Sequence, residues 1–226
     1  SYSGGNNNIT LQMNNNVISN QTIPSTTSTT IYLMYNTASV GTNRVIEMNG
    51  NTITNLTKAS SGTITCMYVG TANSAYAKNN VINNISNTNN SVSGTSVIRG
   101  IYGFGSPTYM DVSNNTISNI SIVGVSTSTT GTIRGIESNT ASTGTADVYQ
   151  NTIHDLSFNV GTTTGTVSAI YGATNSSNFY KNNIYNLSAA QASGLVKGIE
   201  LVSAPTFNIY NNFISGLTTP QSNSNI

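Results

Sequence analysis

Residues 113–120 read Ser-Asn-Asn-Thr-Ile-Ser-Asn-Ile, and variants of this phrase run through the whole chain. They are NNNVISN (14–20), NGNTITNL (49–56), KNNVINNI (78–85), YQNTIHDL (149–156), KNNIYNL (181–187) and YNNFISGL (210–217). Aligned on their central Asn, the anchors are Asn16, Asn51, Asn80, Asn115, Asn151, Asn182 and Asn212. Successive anchors lie 35, 29, 35, 36, 31 and 30 residues apart. A motif that returns at such a period marks a repeat architecture, in which each unit is too small to bury its own apolar face.

The slots around the anchor keep their chemistry. Two residues after it stand Ile18, Ile53, Ile82, Ile117, Ile153, Ile184 and Ile214. Four after it stand Asn20, Asn55, Asn84, Asn119, Asp155, Asn186 and Gly216. Three before it come Met13, Met48, Ala77, Val112, Val148, Phe179 and Ile209, and five before it Leu11, Ile46, Ala75, Met110, Ala146, Ser177 and Phe207. A spacing of two predicts a strand leading into the anchor. A second phrase follows in six copies: TIYLMY, TITCMY, VIRGIY, TIRGIE, TVSAIY and LVKGIE. Its apolar positions, such as Ile98 and Ile101 or Ile133 and Ile136, are three apart. A bend or bulge at Gly100, Gly135, Ala169 and Gly198 would turn both inward.

These signals predict an all-β chain: a right-handed parallel β-helix of about seven coils of 29–36 residues, with residues 1–226 as one repeat domain. Stacking coils about 4.8 Å apart places each Ile over its counterpart in a dry column. The anchor Asn falls where the chain turns, and Asn tolerates left-handed backbone angles. Seven in register would bond side chain to side chain along the axis. The stretches between the two phrases (SNTNNSVSGTS, SIVGVSTSTTGT, SFNVGTTTGT, SAAQASG) are expected to protrude as loops. Beginning at Ser1, the chain reads as a mature form or a segment of a longer repeat protein.

Composition narrows the function classes. Asn makes up 36 of 226 residues, only 6% are charged, and the formal net charge is +1. Neutral hydrogen-bonding groups therefore wet the surface. No dense basic face is available for phosphate, which argues against a nucleic-acid partner. No apolar run approaches the roughly 18 residues of a membrane span. The single cysteine, Cys66, excludes an intrachain disulfide and reads as a buried, inert thiol.

The NxIxN phrases, Asn115-Thr116-Ile117-Ser118-Asn119 for instance, resemble the pectate-lyase-like right-handed β-helix superfamily from about Leu11 to Leu217. The Asn/Ser/Thr-rich texture also resembles long secreted repeat proteins of Bacteroidota, which implies an extracellular or cell-surface location and adhesive roles. Enzymes of the superfamily place carboxylates on one face with calcium or a basic residue. The matching slot here, four before the anchor, reads Gln12, Glu47, Tyr76, Asp111, Asp147, Asn178 and Asn208. Asp111 and Asp147 stand on consecutive coils and should both point outward. Two carboxylates about 5 Å apart suit calcium or acid/base work; the simpler reading is two solvated side chains.

Other polar features have plain readings. Arg99 and Arg134 stack in register, with Lys197 two coils on, and read as a solvated face open to pairing with nearby acids; Glu137 and Glu200 hold a slot that is Tyr in other coils. His154 is the only histidine. Strand alternation sends it and Asp155 to opposite faces, so no His–Asp pair is expected. Tyr35, Tyr68, Tyr102 and Tyr171 form a ladder able to stack on glycan rings or to cover the sheet. No cofactor and no metal site is expected. The reading that follows is a structural or adhesive rod or spacer. Its partners would be itself, head to tail or side by side, or surface glycans. A polysaccharide-binding or -degrading β-helix is the alternative.

Overall fold

The structure is a computed structural model. It describes residues 9–24, 28–36, 43–70, 72–89, 94–104, 107–124, 129–139, 144–160, 164–173, 176–191, 193–202 and 206–220. Coil by coil the strands are β1 (Ile9–Gln12), β2 (Val17–Ile23) and β3 (Ile31–Asn36); β4 (Arg44–Glu47), β5 (Thr52–Lys58) and β6 (Gly62–Val69); β7 (Ser74–Lys78), β8 (Val81–Asn89) and β9 (Gly94–Phe104). The next coils hold β10 (Tyr109–Ser113), β11 (Thr116–Gly124) and β12 (Thr129–Asn139); β13 (Thr145–Tyr149), β14 (Thr152–Val160) and β15 (Gly165–Gly172); β16 (Ser176–Tyr180), β17 (Asn183–Ala189) and β18 (Leu195–Leu201). The last described coil holds β19 (Thr206–Tyr210) and β20 (Phe213–Thr218).

Every third strand pairs with its counterpart, always in parallel. The result is a parallel β-helix with three faces: β1-β4-β7-β10-β13-β16-β19, β2-β5-β8-β11-β14-β17-β20, and β3-β6-β9-β12-β15-β18. We call these the A, B and C sheets. Sheet A leads into the anchor, sheet B leaves it, and sheet C carries the second phrase.

Register keeps like over like. Ile53, Ile82, Ile117, Ile153 and Ile184 stack through sheet B and are at most 1% exposed. The column is not dry at its ends: Ile18 is only partly buried, and Ile214 is 38% exposed because the last described coil has a neighbour on one side alone. In sheet C, Ile98 with Ile101 and Ile133 with Ile136 are all buried. Between them Gly100 packs so tightly under the next coil that a Cβ there would lie 2.5 Å from the Gly135 carbonyl oxygen.

The corners depart from expectation. The anchor Asn does not take the left-handed conformation; the residue before it does. Asn15, Gly50, Asn79, Asn114, Gln150, Lys181 and Asn211 have φ between 54° and 67°. A second left-handed set falls four after the anchor, at Asn20, Asn55, Asn84, Asn119, Asp155, Asn186 and Gly216. The anchor is freed for another task, because its side chain points inward and must be hydrogen-bonded there. The inter-phrase stretches are also more regular than expected. Strands continue to Gly124 and Val160, since Ile122, Phe158 and Val160 face the core. The remaining tips, such as 125–128 and 161–163, lie outside the described residues.

Candidate functional site

Inside the A–B corner runs the asparagine ladder. The backbone N and Nδ2 of Asn16 both donate to Oδ1 of Asn51, at 2.9 and 3.0 Å. The same pair of bonds links Asn51 to Asn80, Asn80 to Asn115, Asn115 to Asn151, Asn151 to Asn182 and Asn182 to Asn212. The second Nδ2 proton goes back one coil, for example from Asn115 to the Ala77 carbonyl at 2.8 Å. The five inner anchors are buried, yet each amide is satisfied. Outside the same sheet, the left-handed residues make a shorter exposed ladder: Asn84 Nδ2 donates to Asn55 Oδ1, and Asn55 Nδ2 to Asn20 Oδ1.

Asp111 and Asp147 are register partners on the outer face of sheet A. Asp111 is not solvated, however: it is only 5% exposed. Its carboxylate meets Lys78 Nζ at 2.7 Å and accepts from Ser113 Oγ at 2.8 Å and the Tyr149 hydroxyl at 3.4 Å. Asp147 accepts from the Tyr109 hydroxyl at 2.9 Å and Asn178 Nδ2 at 2.6 Å. The two tyrosines cross between the coils and bind the carboxylates to their neighbours. Burial, and then the bond to Asp147, pushes the Tyr109 phenol well above its usual range. Burial alone would lower the Lys78 ammonium, but the Asp111 bond and charge outweigh it and raise it. Carboxylates so engaged on both oxygens are held as structural acceptors.

Sheet C carries a second ionic set. Glu137, 4% exposed, is forked between Arg99 Nε at 2.6 Å and Arg134 Nη1 at 2.7 Å. The Arg134 guanidinium lies 3.6 Å from the centre of the Tyr171 ring, and Arg99 4.5 Å from that of Tyr102. Glu200 bonds Lys197 and accepts from Ser168 Oγ at 2.6 Å. Burial, then Glu137, pushes the Tyr102 phenol up to about 12. The stripe pairs its cations with the neighbouring acids and is partly covered rather than fully solvated. Toward the first coil the face becomes aromatic, with Tyr32, Tyr35 and Tyr68 in mutual contact and Tyr68 against Tyr102.

The His154–Asp155 expectation is overturned. His154 Nδ1 lies 2.6 Å from Asp155 Oδ2. Asp155 has φ 56°, and a left-handed residue breaks strand alternation, leaving both side chains on the outside. Ser118, the register partner of His154, does not complete a triad. Its Oγ donates to Asn83 Oδ1 at 3.0 Å, one coil the other way, and the far side of the imidazole is stacked on Tyr185 at 4.6 Å. Beside Asp155 runs an open trough of about 570 Å³, lined by Asn84, Asn119, Asp155 and Asn186 and by Ser121 and Ser157.

Two buried polar residues escaped the sequence reading. Lys58 and Asn87 occupy the inward slot seven after the anchor, in register with Ile23, Ile122, Phe158 and Ala189. Lys58 is fully buried; its Nζ donates to the Ser60 carbonyl at 2.8 Å, to Ser60 Oγ at 2.7 Å and to the Ser61 carbonyl. Burial lowers its pKa. Both polar atoms of the Asn87 amide are buried without a hydrogen-bond partner. Aligning that slot across coils would have exposed them as polar residues in an apolar column. Cys66 is buried as expected, and desolvation raises its thiol to about 12.

Among the described residues no group of three or more His, Cys, Asp or Glu could hold a metal ion, and no helix is long and apolar enough to cross a membrane. No protein-family model matches the chain, and neither the curated proteins nor the solved structures yield a match. Fold and site together define the class: a parallel β-solenoid repeat protein with an internal asparagine ladder. The particular role of this chain is therefore argued from its own residues.

Proposed function

We propose that this chain is a structural or adhesive module, a stiff rod or spacer, in an extracellular or cell-surface protein. The carrying observation is the unbroken ladder from Asn16 to Asn212, which ties each coil to the next through buried amides. Bending the rod would open those bonds in a dry interior, where each unmade bond costs about 1–3 kcal/mol. The Asp111 and Glu137 carboxylates and the Arg99 and Arg134 guanidinium groups are engaged in packing. A surface rich in Asn, Ser and Thr with a net charge of +1 suits a spacer that must not adhere indiscriminately by charge. The extracellular location is supported by this texture and by its resemblance to secreted repeat proteins.

Pulling the chain by its ends tests the mechanical reading. We expect coil-by-coil unfolding peaks, with the force lowered in Asn115→Ala; unfolding at negligible force in both proteins would refute it. Protease digestion of intact cells of the source tests location: a chain that stays protected until lysis is not a surface module.

A second reading, a polysaccharide-binding or -degrading β-helix, is favoured by the amide- and hydroxyl-lined trough on sheet B. Glycan-array binding, followed by turnover assays of Asp111→Asn, Asp147→Asn and Asp155→Asn, would show whether sugar is bound or cut and on which face.

A further inference from the structure

We propose that Lys58 and Asn87 form a covalent cross-link, an amide between Lys58 Nζ and Asn87 Cγ that ties the second coil to the third. The inference goes beyond the rod reading and stands without it. The two residues are register partners on β5 and β8. Both occupy the inward slot seven after the anchor, and both are fully buried. The rest of that column is apolar: Ile23, Ile122, Phe158 and Ala189. Asn87 therefore has Ile122 on one side and Lys58 on the other, and neither polar atom of its amide finds a hydrogen bond. Lys58 Nζ donates to the Ser60 carbonyl, Ser60 Oγ and the Ser61 carbonyl, all neutral, and among the described residues it pairs with no carboxylate. A buried ammonium without a counter-charge and a buried amide without a partner are each unfavourable. The cross-link replaces both by one neutral group with a single N–H.

Neighbouring strands lie about 4.8 Å apart, a gap that the four-carbon lysine stem spans. Burial lowers the Lys58 pKa, and a desolvated lysine is the better nucleophile because more of it is neutral. The neutral Nζ leaves its serine acceptors and attacks Cγ of Asn87. The Nζ–Cγ bond forms, the Cγ–Nδ2 bond breaks, one Nζ proton passes to Nδ2, and ammonia leaves. No oxidant or further reactant is consumed. With no carboxylate paired to the amine to carry the proton, the step is slow. A freshly folded chain keeps its free amine, and the bond accumulates with time.

Mass spectrometry of the purified chain, incubated folded at mildly alkaline pH, tests the cross-link. The expected product is lighter than the 23.7 kDa parent by one ammonia. After denaturation, trypsin should fail to cut behind Lys58 in that product and release a branched peptide joining residues 45–78 to 79–99. Asn87→Leu, which suits the apolar column, and separately Lys58→Met should each abolish the branched peptide. A parent chain that keeps its full mass throughout the incubation overturns the proposal. So does one that sheds ammonia without yielding the branched peptide, since an asparagine cyclising on its own backbone loses the same mass. Either result leaves the rod reading standing, because the asparagine ladder involves neither residue.

Discussion

Asn115 accepts two hydrogen bonds from Asn80 through one oxygen and returns two protons, to Ala77 and Asn151. Truncation to Ala orphans two donors on Asn80 and removes a bond from the Ala77 carbonyl in a place water does not reach, while Asn151 Oδ1 keeps only the Asn115 backbone N–H. We expect Asn115→Ala to lose about 2–4 kcal/mol in urea unfolding, and Asn16→Ala, at an exposed end, less than about 1 kcal/mol. Equal losses at both positions would show that the ladder's strength is not a matter of burial. Lys58 makes a prediction of opposite character. Its folded pKa lies below its unfolded one because burial disfavours the charged amine. Between the two values the unfolded chain binds more protons, so this residue's contribution to stability rises with pH through that window, and its penalty is fully present below the folded value. Unfolding curves from neutral to alkaline pH should show the parent gaining on Lys58→Met; parallel curves would contradict the burial.

At the scale of the element, the corner after sheet B is shaped by one ring. Phe158 points inward from β14, and Gly131 in β12 and Gly165 in β15 lie against it: a Cβ on either would sit 2.2 Å from the ring. The glycines are there for space, not for a left-handed backbone. Gly165→Ala should therefore cost about 1–3 kcal/mol by overpacking. In a Phe158→Leu background the same change should cost clearly less, because the neighbours couple. Additive effects in the four-protein cycle would place the strain elsewhere. The elements themselves were legible from the spacing of Ile18, Ile53, Ile82 and their counterparts. The corners were less so, since Gln150 and Lys181 take left-handed angles that the residue type does not announce; such angles cost roughly 1–2 kcal/mol in side-chain-bearing residues and are imposed by the coils on either side.

At the scale of the whole molecule, stability comes from a narrow apolar column and amide ladders, with ion pairs confined to a few covered clusters. Surface charge is too sparse for long-range attraction or repulsion to matter. Raising sodium chloride from about 0.05 to about 1 M should shift unfolding free energy by less than roughly 0.5 kcal/mol, since exposed pairs are few and covered pairs are weakly screened. A large loss in salt would mean that the Glu137 fork and the Lys78–Asp111 pair bear far more of the fold than their number suggests.

The sequence by itself determined the parallel β-helix, the positions of its coils and the identity of the buried Asn and Ile columns. Those features depend on short-range alternation repeated at a near-constant interval, and both survive in a linear pattern. Only the tertiary structure decided that His154 and Asp155 share a face, that Asp111 is covered and that Glu137 joins two arginines. Each of these depends on a left-handed residue that reverses the alternation, or on side chains meeting across neighbouring coils about 30 residues apart in the chain. No local spacing encodes which way they turn.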